Sequence, residues 1–93
     1  MNTTRIPLPQ HFSVEEAAQF REDTYSTLAR GATVFEIDFK NCQFIDSTGL
    51  GVLVSLYKRC KENNSDMVLY SMNSNIYHLF EMTNLTQVFD IVN

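Results

Sequence analysis

The sequence has no tryptophan, two prolines, three glycines and two cysteines. So little proline and glycine excludes collagen-like, linker-like and low-complexity chains. Two cysteines make no disulfide framework. Cys42 and Cys60 lack the CxxC or Cys/His spacing of metal and redox sites and sit in apolar contexts, so both read as buried free thiols. No apolar run approaches the roughly 20 residues that a membrane span needs. The polar opening Met1-Asn2-Thr3-Thr4-Arg5 lacks the pattern of a signal peptide. Together these absences predict a reduced, cytoplasmic protein without a membrane span.

Positive charge is also scarce. Seven Lys and Arg stand against eleven Asp and Glu, a formal net charge of −4. Such a chain repels phosphate backbones, and its basic cluster is confined to Lys58, Arg59 and Lys61, so no nucleic-acid partner is expected. His11 and His78 are isolated from each other, and with scattered acids they form no metal-ligand set.

What is present suits one compact domain spanning residues 1–93, with 44% hydrophobic residues to fill one core. Strand and helix signals alternate. Thr3 to Leu8 reads as a strand that Pro7 confines to a sheet edge, because proline cannot donate to a ladder. Ser13 and Glu16 form a capping box that opens a helix running to about Arg30, with Gly31 as its stop. Val14, Ala17, Ala18, Phe20, Tyr25 and Leu28 make its apolar arc, interrupted by Arg21 and Thr24. Thr33 to Phe39 is the strongest strand, a second helix spans about Ser47 to Glu62, and Asp66 to Ser71 is the next strand. A short helix fits Asn75 to Thr83, capped by Ser74 in front and by Asn84 behind, and Gln87 to Val92 closes as a strand. The fold class is α/β: βαβαβαβ order, a mostly parallel sheet of four to five strands, and three to four helices. A parallel sheet needs cover.

The informative segment is Phe44-Ile45-Asp46-Ser47-Thr48-Gly49-Leu50-Gly51-Val52-Leu53-Val54, a strand end meeting a helix start. In structural terms Asp46 or Ser47 caps the helix, while Gly49 and Gly51 let it pack close to the sheet. Enzyme readings lack parts. Val52 follows Gly51 where a phosphate-binding loop has Lys, and Ile45 precedes Ser47 where a nucleophile elbow has Gly. No base stands near Ser47, and nothing in the sequence pairs Asp38 with Asp46, so no enzyme is expected. On a helical wheel Leu50, Leu53, Val54, Tyr57 and Cys60 form the sealing arc. Thr48, Val52, Ser55 and Arg59 then point outward, with Leu56 at the border. That outer face reads either as surface with one stray valine or as a docking surface.

These residues resemble the signature of STAS domains, specifically bacterial anti-sigma factor antagonists. The resemblance continues through Asp66 to Ser71, Ile76 to Phe80, Glu81-Met82-Thr83-Asn84-Leu85 and Val88-Phe89, covering about two-thirds of the chain. Asn84 stands where the family usually has Gly, and Pro9-Gln10-His11-Phe12-Ser13 replaces the usual second strand and Gly-Glu-x-Asp-like turn. The resemblance implies a single STAS-like domain that binds a serine kinase doubling as an anti-sigma factor. That kinase phosphorylates the serine matching Ser47, with Thr48 the second candidate, and a PP2C-type phosphatase restores it. Asp46, Thr48 and Gly49 would frame the acceptor, and Val52, Ser55, Leu56 and Arg59 would contribute to docking. ATP belongs to the kinase, so no cofactor is expected here. The alternative is a non-switching STAS subunit of a larger complex, such as a lipid-transport ATPase accessory or a stress-sensor scaffold.

Overall fold

The computed structural model describes residues 2–93; Met1, part of the expected 1–93 domain, lies outside them. The elements run β1 Thr3–Pro7, β2 His11–Phe12, α1 Val14–Ala29, β3 Val34–Asp38, β4 Phe44–Ile45, α2 Ser47–Glu62, β5 Asp66–Tyr70, α3 Ser74–Met82 and β6 Asp90–Val92. A 3-10 turn, Leu85–Gln87, precedes β6. The main sheet has the order β1-β3-β5-β6, parallel throughout, and β2 pairs with β4 in a separate two-stranded parallel sheet. Each step across the main sheet goes the same way, and right-handed crossovers then bring all three helices to one face.

That face carries the core. Phe35, Ile37, Met67 and Leu69 are buried beneath the helices. Phe39 meets Phe80 of α3 edge to face at 5.9 Å, and Phe89 meets Tyr57 of α2 at 5.4 Å. The opposite face is open, contrary to the expected cover. Val34, Glu36, Asp38, Val68 and Tyr70 alternate with the buried set and are only half-buried. Charge makes that face compatible with water: Arg5 lies 3.3 Å from Glu36 and 3.5 Å from Asp38, with its guanidinium over the Tyr70 ring.

Pro7 sits on edge strand β1, as its missing N–H requires. The α1 capping box places the Ser13 N–H on Glu16 Oε1 at 3.3 Å, and Gly31 ends the helix at φ +100°. Asn84 adopts the left-handed conformation at φ +61°. Several local expectations change. The α3 cap is Asn73, which accepts from the Ile76 N–H, and Ser74 is the first helical residue. On α1, Val14 and Ala18 are exposed. Thr24 is fully buried instead, because its hydroxyl donates to the Phe20 carbonyl at 2.8 Å and satisfies itself within the helix.

Both cysteines are free and buried. Burial pushes the Cys60 thiol up to about 11, and burial also raises Cys42. The basic cluster is partly engaged, with Arg59 over the Tyr25 ring at 4.5 Å and Lys61 over Tyr57 at 5.3 Å. Among the described residues no helix is long and apolar enough to cross a membrane.

Candidate functional site

The site is built where two helices begin. β2 and β4 are two residues each, in parallel register His11↔Phe44 and Phe12↔Ile45. One step further along that register stand Ser13, the N-cap of α1, and Asp46, the N-cap of α2. The small sheet thus sets two helix starts side by side. His11 stacks on Phe44 across this small sheet with ring centroids 4.4 Å apart.

Asp46 joins the two starts. Its Oδ1 accepts from the Gly49 N–H at 3.0 Å, the N-cap bond of α2, and its Oδ2 accepts from the Ser13 hydroxyl. These bonds stabilise the ionised form, the Ser13 bond most, and hold the carboxyl below its ordinary value. Asp38 has separate partners, Arg5 and the Lys40 N–H, so the two acids form no pair.

Ser47 follows as the first residue of α2 and is exposed, as is Thr48. Gly49 is buried, and its lack of a side chain is required. A Cβ there would lie 2.6 Å from the Phe12 carbonyl oxygen and 2.8 Å from Ile45 Cγ1. Gly51 differs from expectation: a Cβ there would meet nothing within 4 Å, so close packing rests on Gly49 alone.

The outer face also needs correction. Leu56 is fully buried and Val52 is 8% exposed, so Leu56 is no surface residue and Val52 does not project outward. The buried stripe of α2 is Gly49, Val52, Leu53, Leu56 and Cys60, a regular i, i+3, i+4, i+7 and i+11 pattern. Leu50, Val54 and Tyr57 flank it, half-buried. The wheel was turned because Gly49, at the centre of the buried face, carries no hydrophobic signal. Packing of α1 against one flank of α2 then covers Val52. Between these helices runs a groove of about 460 Å³ lined by Val14, Ala17, Ala18, Thr48, Gly51 and Val52, with Arg21 and Ser55 further along. Val14, 62% exposed, forms its lip. Arg59 is exposed but lies twelve residues beyond Ser47, about 18 Å along the helix.

The Ser13 cap is legible in the sequence, but its bond to Asp46 is a contact across 33 positions and leaves no local signal. Val14 lies on the apolar arc of α1, which predicts burial, and is exposed.

The STAS domain family model matches residues 2–93. Among curated proteins, the anti-sigma-B factor antagonist of Listeria monocytogenes is 37% identical over 60 residues, 64% of this chain; the match spans about half of that relative's length, 53%. The anti-sigma-B factor antagonist of Bacillus subtilis is 29% identical over 90 residues, covering 97% of this chain and 82% of the relative. Among solved structures, the anti-sigma factor antagonist SpoIIAA in its unphosphorylated form superimposes with a TM-score of 0.81 at 16% identity, covering 99% of this chain and 80% of its own; at that identity the likeness shows the fold. With a family match over the whole described chain and the α/β architecture above, this chain belongs to the STAS domain family.

Proposed function

We propose that this chain is an anti-sigma factor antagonist controlled by phosphorylation of Ser47. Unphosphorylated, it binds a serine kinase that is also an anti-sigma factor and so frees the sigma factor. Phosphorylated, it lets the kinase go, and a PP2C-type phosphatase returns it to the binding form. ATP is held by the kinase, and the exchange takes place in the cytoplasm.

The observation that carries this reading is the exposed Ser47 at the first position of a capped helix. Its hydroxyl can be reached without unfolding anything. Phosphorylation adds about −1.5 to −2 charges there. The positive end of α2 accepts that charge within the free protein. A partner pressed against Ser47 must desolvate it beside the Asp46 carboxylate, a like charge. Reversing a complex from 99:1 bound to 1:99 takes about 5.5 kcal/mol of differential affinity. The switch is therefore steric and electrostatic, with the fold unchanged. Thr48, Gly51, Ser55 and the groove lip at Val14 form the contact surface next to Ser47, and Arg59 extends it.

The test is capture from lysate with wild type, Ser47→Ala and Ser47→Asp, with mass spectrometry of the Ser47 peptide. We expect Ser47→Ala to retain an ATP-binding serine kinase, Ser47→Asp to lose it, and phosphate on Ser47 in the wild type. If all three variants hold the same partner and Ser47 is never modified, Ser47 is a helix residue only, and the chain is a non-switching subunit.

A further inference from the structure

Two observations about Asp46 are independent of the exposure of Ser47. Both of its carboxylate oxygens are committed inside the protein, one to the Gly49 N–H and the other to the Ser13 hydroxyl. And the donor Ser13 is itself held, since the preceding residue, Phe12, is fully buried and lies against Gly49. The parallel register of β2 and β4 leads directly to this pair. A solvent-exposed cap would need none of these supports.

We propose that Ser13 is a positioning residue for the Ser47 site: its hydroxyl keeps the Asp46 carboxylate turned toward α1, leaving the Ser47 hydroxyl outward and unengaged for phosphotransfer. This rests on the reading of Ser47 as the phosphate acceptor. Without the Ser13 hydroxyl, Asp46 Oδ2 loses its donor, and the Ser47 hydroxyl is the adjacent side-chain donor in the chain. A serine hydroxyl bonded back to its neighbouring carboxylate is misdirected for attack on a phosphoryl group. Misplacement of a reacting atom by about 1 Å can cost about 100-fold in rate, so a partial loss of alignment costs roughly tenfold. The Ser13–Asp46 bond sets the direction of the Ser47 hydroxyl and not the outer surface of α2, so the effect falls on the chemical step.

The experiment compares wild type with Ser13→Ala, Ser13→Thr and Glu16→Ala, using the kinase captured on the wild-type protein and ATP. Ser13→Ala is expected to lower kcat for Ser47 phosphorylation about tenfold with KM unchanged. Ser13→Thr keeps the hydroxyl and is expected to stay within about twofold of wild type. Glu16→Ala weakens the same capping box but leaves the Ser13 hydroxyl, so it should lower thermal stability without changing kcat. NMR titration of the Asp46 carboxyl should move up toward the ordinary aspartate value in Ser13→Ala alone. Wild-type kcat in Ser13→Ala, an equal loss in Glu16→Ala, or an unmoved Asp46 titration would each overturn the role of Ser13 while leaving Ser47 as the acceptor. Wild type that takes no phosphate at Ser47 would remove the acceptor reading, and this inference with it.

Discussion

α2 and α3 begin in the same way. Each follows a strand, and each is capped by a side chain that accepts the N–H three residues on. Asp46 accepts from Gly49 at 3.0 Å and Asn73 from Ile76 at 2.9 Å. Each then presents an exposed serine at its first position, Ser47 and Ser74. What differs lies around them. Asp46 brings a negative charge and is tied to Ser13, whereas Asn73 is neutral and its amide donates to the Cys42 carbonyl at 3.3 Å. The third residue of α2 is a glycine pressed on Phe12, while the third residue of α3 is Ile76, buried in the core. A helix cap is a local property. A site that distinguishes one serine from another is composed by the neighbours that the fold brings to it.

Substitutions at the third helical residue should separate the two starts most strongly. Ile76→Ala removes buried volume, and we expect a loss of about 2–5 kcal/mol in urea unfolding. Gly49→Ala adds a single methyl, yet it must displace the Phe12 backbone, and we expect a loss of about 1–3 kcal/mol. An unchanged unfolding midpoint for Gly49→Ala would show that the start of α2 is not held against β2.

The caps come next. Asn73→Ala should cost about 1 kcal/mol, the usual value of a lost N-cap. Asp46→Ala should lower the midpoint further, because it also strips the Ser13 hydroxyl of its acceptor. Equal effects would mean that the link between α1 and α2 contributes nothing.

Only the α2 start should respond to acid. The Asp46 carboxyl is held low in the folded protein, chiefly by Ser13 and then by Gly49. The folded state therefore binds that proton less readily than the unfolded chain. This contribution is complete above about pH 4 and disappears as pH falls through the folded value. Unfolding midpoints of wild type and Asp46→Asn, followed from pH 7 downward, should converge in acid; parallel curves would contradict the bond. The smallest effect belongs to Gly51→Ala, which meets open space and replaces a helical glycine. We expect no loss and a gain of up to about 1 kcal/mol, measured by thermal unfolding.

Much of the fold was legible because its signals are local. The bounds of α2, Ser47 and Glu62, follow from its start and stop residues. Gly31, Asn84 and Pro7 each stand where their backbone preference requires. The two small strands were illegible, since two residues have no periodicity to read. β6 proved shorter than the expected run because Leu85–Gln87 turns into a 3-10 segment first. At the site, the Asp-Ser-Thr-Gly segment alone marked a capped helix start with a close-packing glycine, and the resemblance to STAS domains singled out Ser47 and Thr48. The burial of Val52 and Leu56 could not, because the wheel registers hydrophobic side chains and Gly49 has none.

The sequence by itself determined the order of the main-sheet strands and the helices, the capping box of α1, the stops at Gly31 and Asn84, and the serine that opens α2. Those depend on bonds between residues a few positions apart. Tertiary structure alone decided that all three helices share one face, that Gly49 rather than Gly51 touches its neighbours, and that Ser13 holds Asp46. Each of those depends on a contact between residues far apart in the chain, and such contacts exist only after parallel strands have brought distant segments into register.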